Sequence, residues 1–385
     1  MKVTFVLPPV DMTGGIRVAS IYADLLQQRG HKVTVVSTPA PRPRLRQQIR
    51  SVLTGKGWIP TAKKMSHFDD LDVPHQVIER SRPIVAADVP EADVIIATWW
   101  ETAEWVAAMP EAKGTKVYFL QHYEIHDYLP VERVKATWAL PMHKITIAQW
   151  LVDVAQKDYG DPEVSLVPNA VDGQQFYAQP RGKQAVPTVG MMFSRATWKG
   201  CDFAYEGVQR ARRVIPNLKF LVFSMFQPSD AMLAGCTFFH KPSQAELRTI
   251  YASCDAWLFT SKIEGFGLPI LEAMACRTPV IGTAAGAAPE LLQQGTGELI
   301  PFDDPQALAD AIVAIAQMPD TQWRAMSERA HERAIQYTWQ DAVVNFEASL
   351  ERAIARQQAG LLQPLTPPPL STPLSMLSNA PKSSP

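Results

Sequence analysis

Cysteine is scarce: four residues in a chain of 385, Cys201, Cys236, Cys254 and Cys276, with no C-x-x-C pair. That spacing excludes the common zinc patterns and a disulfide framework. The four are expected to be small buried hydrophobes of a reducing compartment. Long hydrophobic runs are also missing, since no stretch reaches the roughly eighteen apolar residues that a bilayer-spanning helix needs. Near the start, Lys2 is followed only by residues 3–7 before Pro8 and Pro9, too short a run for a signal peptide. A cytoplasmic protein is the expectation. Nor is there an excess of either charge: 37 Lys plus Arg against 38 Asp plus Glu give a net charge of −1. Whole-chain attraction to nucleic acid or anionic lipid is thereby excluded, so such binding needs a local patch and no nucleic-acid partner is expected.

What is present is a folded α/β chain. Hydrophobic residues make up 46%, and the length suggests two domains at about 150 residues each. An apolar run at 2–7, a glycine-containing turn, a helical pattern over 16–28 stopped by Gly30, and a β-rich run at 33–36 read as strand, helix, parallel strand. Further short apolar strands are expected at 93–97, 116–120, 144–148 and 164–167, as in sheets covered on both faces. A second series follows at 188–192, 218–223, 237–239, 256–259 and 279–281, and then helices at 307–317, 321–337 and 339–357. Two parallel-sheet domains joined around 168–181 account for this order. The assigned bounds are 1–170 and 171–357, followed by a disordered tail at 358–385, where the stretch from Gly360 holds seven prolines and no aromatic residue.

The chemistry concentrates in EGFGLPILEAMACRTPVIG, residues 264–282, directly after the strand at 256–259. Gly265, Phe266 and Gly267 stand at a strand-to-helix junction. Glycine there lets backbone N–H groups approach an anion, and the helix that follows adds the positive end of its dipole. Glu272 comes eight residues after Glu264, one to two helical turns in, among apolar neighbours. A carboxylate there needs a hydrogen-bonding partner, and a ribose diol is one candidate.

In these residues, with Gly286 and Glu290 beyond them and GTGELIPFDDPQALADAI at 295–312, the sequence resembles the retaining glycosyltransferases of family GT4, of the GT-B fold. The resemblance spans about residues 1–357 and is stronger in the second half. It implies two Rossmann-like domains facing across a cleft, with the C-terminal helix returning to the first. It also implies a nucleotide-diphosphate sugar as co-substrate, ribose binding by Glu272 and donor-sugar contact by Glu264. Arg195 and Lys199, in MMFSRATWKG, would take the diphosphate; two cations at a strand end can neutralise charge developing on a leaving nucleotide. In the first domain Gly14 and Gly15 match the family's glycine loop. His122 matches the family's histidine near the donor sugar, with Gln121 and His126 as competitors for that role. Dinucleotide binding is disfavoured, because MTGGIRVAS lacks G-x-G-x-x-G and VTVVSTP ends without an acidic residue.

Asp70, Leu71 and Asp72 form a D-x-D string, read as a solvated turn; no metal is expected. Residues 39–68 carry Arg42, Arg44, Arg46, Arg50, Lys56, Lys63 and Lys64 without an acidic residue before Phe68, interleaved with Leu45, Ile49, Val52, Leu53, Trp58 and Ile59. Such a basic loop suits an anionic leaflet, so peripheral contact with the inner face of a membrane through 42–64 is one expectation, and a solvated acceptor-side loop is the other. The resulting reading is a hexosyltransferase acting on a glycan or lipid-linked hydroxyl, with retention, in cell-surface polysaccharide or glycolipid assembly. A sugar-nucleotide epimerase and a non-catalytic nucleotide-sugar-binding protein are the rivals. Base, sugar, acceptor, linkage and oligomeric state stay open.

Overall fold

The structure, a computed structural model, describes residues 1–40, 43, 45–55, 57–59, 65–228 and 234–366. Residues from 367 on, most of the proposed tail, lie outside the described residues. The described part of the tail is held, with Leu365 donating its N–H to the Ala139 carbonyl at 2.9 Å. The chain forms two units. Unit 1 takes Met1–Thr146, Leu151–Ser165 and the chain from Glu347 on; unit 2 takes Ile147–Trp150 and Leu166–Phe346.

The sheet of unit 1 runs β3-β2-β1-β4-β5-β6-β7, with β1 at Lys2–Leu7, β2 at Lys32–Ser37, β3 at His75–Val77 and β4 at Val94–Ala97. β5 is Thr115–Leu120, β6 is His143–Thr146 and β7 is Ser165–Leu166. The strands β1 to β6 pair in parallel, and Phe5 sits between Val35 and Ile96. The central strands are buried along nearly their whole length because helices cover both faces. Among the described residues, the helices that accompany this sheet are α1 (Gly14–Gln28), α2 (Leu45–Leu53), α3 (Trp100–Ala107), α4 (Val131–Thr137) and α5 (Gln149–Tyr159).

Unit 2 repeats the plan in the order β10-β9-β8-β11-β12-β13, parallel throughout: β8 Thr188–Met192, β9 Lys219–Ser224, β10 Thr237–His240, β11 Ala256–Phe259, β12 Val280–Thr283, β13 Gly297–Ile300. Its helices are α6 (Cys201–Ala211), α7 (Gln244–Ala252), α8 (Leu268–Ala275), α9 (Ala288–Leu291), α10 (Pro305–Gln317) and α11 (Asp320–Ala334). The start of α10 shows the local logic. Asp304 accepts the N–H groups of Gln306 and Ala307, and Pro305 occupies the first turn, where a missing donor costs nothing. Strand order reverses beside β1 in one sheet and beside β8 in the other, so the carboxyl ends of β1 and β4, and of β8 and β11, are where open sheets of this kind take ligands.

The last helix, α12 (Trp339–Gln358), passes from unit 2 into unit 1. Within unit 1, Glu347 takes bonds from Arg29 Nε and His31 Nε2 at 2.8 Å each, and Arg356 donates to His143 Nδ1 at 2.8 Å. Arginine has no acceptor, so His143 Nδ1 is the bare nitrogen, and its Nε2–H donates to Ser165 Oγ at 2.9 Å. Burial, reinforced by the Arg356 charge, holds this imidazole down to about 3. Beside it, Lys144 and Asp161 form a buried ion pair at 2.8 Å.

Two expectations are corrected here. The basic stretch assigned to a loop contains the helix α2, and Cys236 is only half-buried, whereas Cys201, Cys254 and Cys276 are buried. Arg42, Arg44, Lys56, Lys63 and Lys64 lie outside the described residues.

Candidate functional site

The site in unit 2 is built by two loops at the carboxyl ends of β8 and β11. After β8 the chain passes Ser194 and Arg195, makes a 3-10 turn at Thr197–Lys199, and enters α6 through Gly200. Gly200 has φ +64°, and a Cβ there would lie 2.1 Å from the Thr260 carbonyl oxygen, so only glycine lets the two loops touch. They are also stitched by hydrogen bonds: Lys262 N–H to Trp198 O at 2.7 Å and Thr260 Oγ to Lys199 O at 3.2 Å.

That stitching brings Lys199 onto Glu264, 65 residues away in the chain, as a half-buried ion pair. The same Glu264 oxygen accepts the Ser261 hydroxyl at 2.7 Å. Next along, the Gly265 carbonyl takes the Trp150 indole N–H at 2.9 Å, and the Phe266 carbonyl takes the Ala287 N–H at 2.8 Å. Phe266 is buried, and Gly267, at φ +98°, caps α8 with Pro269 in its first turn.

Glu272 sits inside α8, only 5% exposed, and its Oε2 accepts the Tyr251 hydroxyl at 2.8 Å. Tyr251 is held by edge contacts with Trp257 (4.4 Å between centroids), Phe223 and Phe176. The carboxylate is therefore oriented from within the protein. Arg195 is exposed, with its guanidinium 5.1 Å from the centre of the Phe226 ring. Ser224 Oγ accepts the Phe226 N–H at 2.9 Å and so fixes the backbone carrying that ring. A hollow of about 300 Å³ opens beside Arg195, lined among others by Ser194, Thr197, Asp202, Gln227 and Pro228.

In unit 1, Gly14 and Gly15 open α1 at the carboxyl end of β1, and the Gln121 side-chain amide donates to the Gly15 carbonyl at 3.0 Å. His122 follows β5, its ring 5.2 Å from that of His126, which stacks on Tyr128. Burial lowers the His126 pKa. Glu124 is buried, accepts the Trp100 N–H at 3.3 Å, and is pushed well above the usual carboxylate range by desolvation. Asp70 and Asp72 are exposed. Among the described residues no group of three or more His, Cys, Asp or Glu is arranged to hold a metal.

The structure thus brings Lys199, Glu264 and the Gly265–Gly267 turn together, sets Arg195 at the rim of a hollow beside the same loop, and gives Glu272 its own buried anchor. Sequence reasoning missed Trp150, Ser261, Phe226 and Tyr251. Ser261 had a visible signal, three residues before Glu264 in TSKIEG. The other three lie far away in the chain and carry no motif.

Two parallel sheets of this order and these loops define the GT-B glycosyltransferase fold. Residues 183–318, within unit 2, match the family model described as Glycosyl transferases group 1. D-inositol 3-phosphate glycosyltransferase of Mycobacterium avium (strain 104) is 34% identical over 122 residues, 31% of this chain and 29% of that relative. The match thus spans less than a third of the relative's length. Among solved structures, sucrose-phosphate synthase from Thermosynechococcus elongatus aligns with a TM-score of 0.67 at 16% identity, over 92% of this chain and 99% of that one. Anabaena Alr3699/HepE, solved with UDP and glucose, aligns at 0.65 and 17%, over 94% and 100%.

Proposed function

We propose that the protein is a retaining glycosyltransferase, moving a hexose-type sugar from a nucleoside-diphosphate donor to a hydroxyl acceptor. The observation that carries this reading is the junction of Lys199, Glu264 and the glycine turn, on a domain of group 1 glycosyltransferase type. Lys199 and Arg195 supply positive charge where a diphosphate would leave, and the turn adds backbone donors. Lys199 is already paired with Glu264, so an incoming diphosphate competes for it and leaves the Glu264 carboxylate free to accept a sugar hydroxyl. Glu272, aimed by Tyr251, takes the ribose.

No described carboxylate is assigned as a covalent nucleophile, and the leaving diphosphate serves as the base that deprotonates the acceptor on the same face, which gives retention. Incubating the protein with a panel of nucleotide sugars and reading the product's anomeric configuration by NMR tests this. Retained configuration with acceptor-dependent turnover is expected. Inversion refutes the mechanism, epimerised donor without acceptor favours an epimerase, and binding without turnover favours a binding protein.

The acceptor in this reading is lipid-linked and cytoplasmic, at an anionic membrane face, in assembly of a surface glycan or glycolipid. The support is α2, where Leu45, Ile49, Val52 and Leu53 share one face and are exposed, with Arg46 and Arg50 beside them. Its buried residue is instead Gln48, whose amide holds both the N–H and the C=O of Ile59. Sedimentation with anionic vesicles should be lost in Ile49→Ser/Leu53→Ser; equal sedimentation of that variant and wild type would remove the membrane role.

A further inference from the structure

We infer that Trp150 is a positioning residue for the diphosphate: its indole, together with the Ala287 amide, aims the two backbone donors of the glycine turn. This rests on the donor reading above. A trans peptide points its C=O and the following N–H in opposite directions, and the described chain has no cis bonds. The Gly265 carbonyl is held by Trp150 Nε1 at 2.9 Å, which turns the Phe266 N–H away from the indole. The Phe266 carbonyl is held by the Ala287 N–H at 2.8 Å, which turns the Gly267 N–H away from β12 and α9.

Both donors are thereby fixed before any ligand arrives, at the mouth of α8, where the helix dipole has its positive end. Gly286 makes the second tie feasible. Its φ is +59°, and a Cβ on it would lie 2.4 Å from the Phe266 oxygen that Ala287 must reach. Ile147–Trp150, which includes the first residues of α5, groups with unit 2, as the glycine turn does. Beside Trp150, Glu290 accepts the Gln149 N–H at 3.0 Å.

The test is Trp150→Phe, which keeps an aromatic ring and removes the N–H. Calorimetry with UDP, GDP, ADP and dTDP identifies the nucleoside diphosphate that wild type binds, and that ligand is then compared with its own nucleoside. In the variant the diphosphate should bind about tenfold more weakly, as expected for losing the aim of hydrogen bonds to a charged group, while nucleoside affinity stays within twofold. Unchanged diphosphate affinity overturns the inference, and so does equal weakening of both ligands, which marks a merely structural residue. If wild type binds none of the four diphosphates, the donor reading itself falls, a distinct result seen before the variant is made.

Discussion

Gly200→Ala perturbs the site without removing a charge or a donor. The left-handed backbone at φ +64° costs a non-glycine residue about 1–2 kcal/mol. The new methyl would also stand 2.1 Å from the Thr260 oxygen, against a backbone atom that cannot rotate aside. The loop after β8 must therefore retreat by about 1 Å, and a displacement of that size can cost on the order of 100-fold in rate when it moves a group that meets the reacting bond. Lys199 is the adjacent residue, and its carbonyl and Trp198's are the two acceptors that would be pulled off. Differential scanning calorimetry should show the melting temperature of unit 2 falling by about 2–8 °C, at roughly 2–4 °C per kcal/mol. Donor turnover should fall by on the order of 100-fold. Gly173→Ala, with nothing within 4 Å of the added methyl, is the comparison and should change neither. If Gly200→Ala melts and turns over like wild type, the claim that this contact places Lys199 is wrong.

Lys144→Met leaves the Asp161 carboxylate buried without its cation and should destabilise unit 1 by about 3–5 kcal/mol in urea titration. Tyr251→Phe takes one donor from the buried Glu272 carboxylate and should cost about 1–3 kcal/mol of stability and weaken nucleoside binding. His143 is held at about 3 against an ordinary 6.5, so the folded chain binds fewer protons than the unfolded chain. Its contribution is full above 6.5 and is lost as pH falls toward 3, which urea midpoints across that window will show. Glu124 works in the other sense: its raised carboxyl contributes fully below 4.5, and the contribution fades as pH rises through the raised value. The stability advantage of Glu124→Gln over wild type should therefore grow from pH 5 to pH 8.

The sheets were legible because their inner strands are short, apolar and covered on both faces, so β1, β8 and β11 stand out as uninterrupted runs. β3 and β13 were not, for a physical reason. Each lies at the edge of its sheet, where residues such as Gln76, Val77 and Leu299 stay exposed, and neither composition nor alternation marks them. α2 was read as a loop because seven cations dominate the sequence around it, and its apolar residues Leu45, Ile49, Val52 and Leu53 stay exposed. In the site, Glu264, Glu272, Lys199 and Arg195 were visible as residues, but the Lys199–Glu264 pairing depends on Gly200 meeting Thr260, a contact between distant loops. Trp150 could not be found at all in the sequence, since an indole N–H reaching a carbonyl 115 residues away leaves no local pattern.

The central claim is that the loops after β8 and β11 form one seat for a pyrophosphate-bearing nucleoside. Isothermal titration of wild type and Lys199→Ala with the four common nucleoside diphosphates, at fixed ionic strength, tests it most directly. The account predicts saturable one-to-one binding of at least one of them by wild type, weakened about tenfold or more in the variant. Binding that is identical in the two proteins, or absent from wild type, would contradict it.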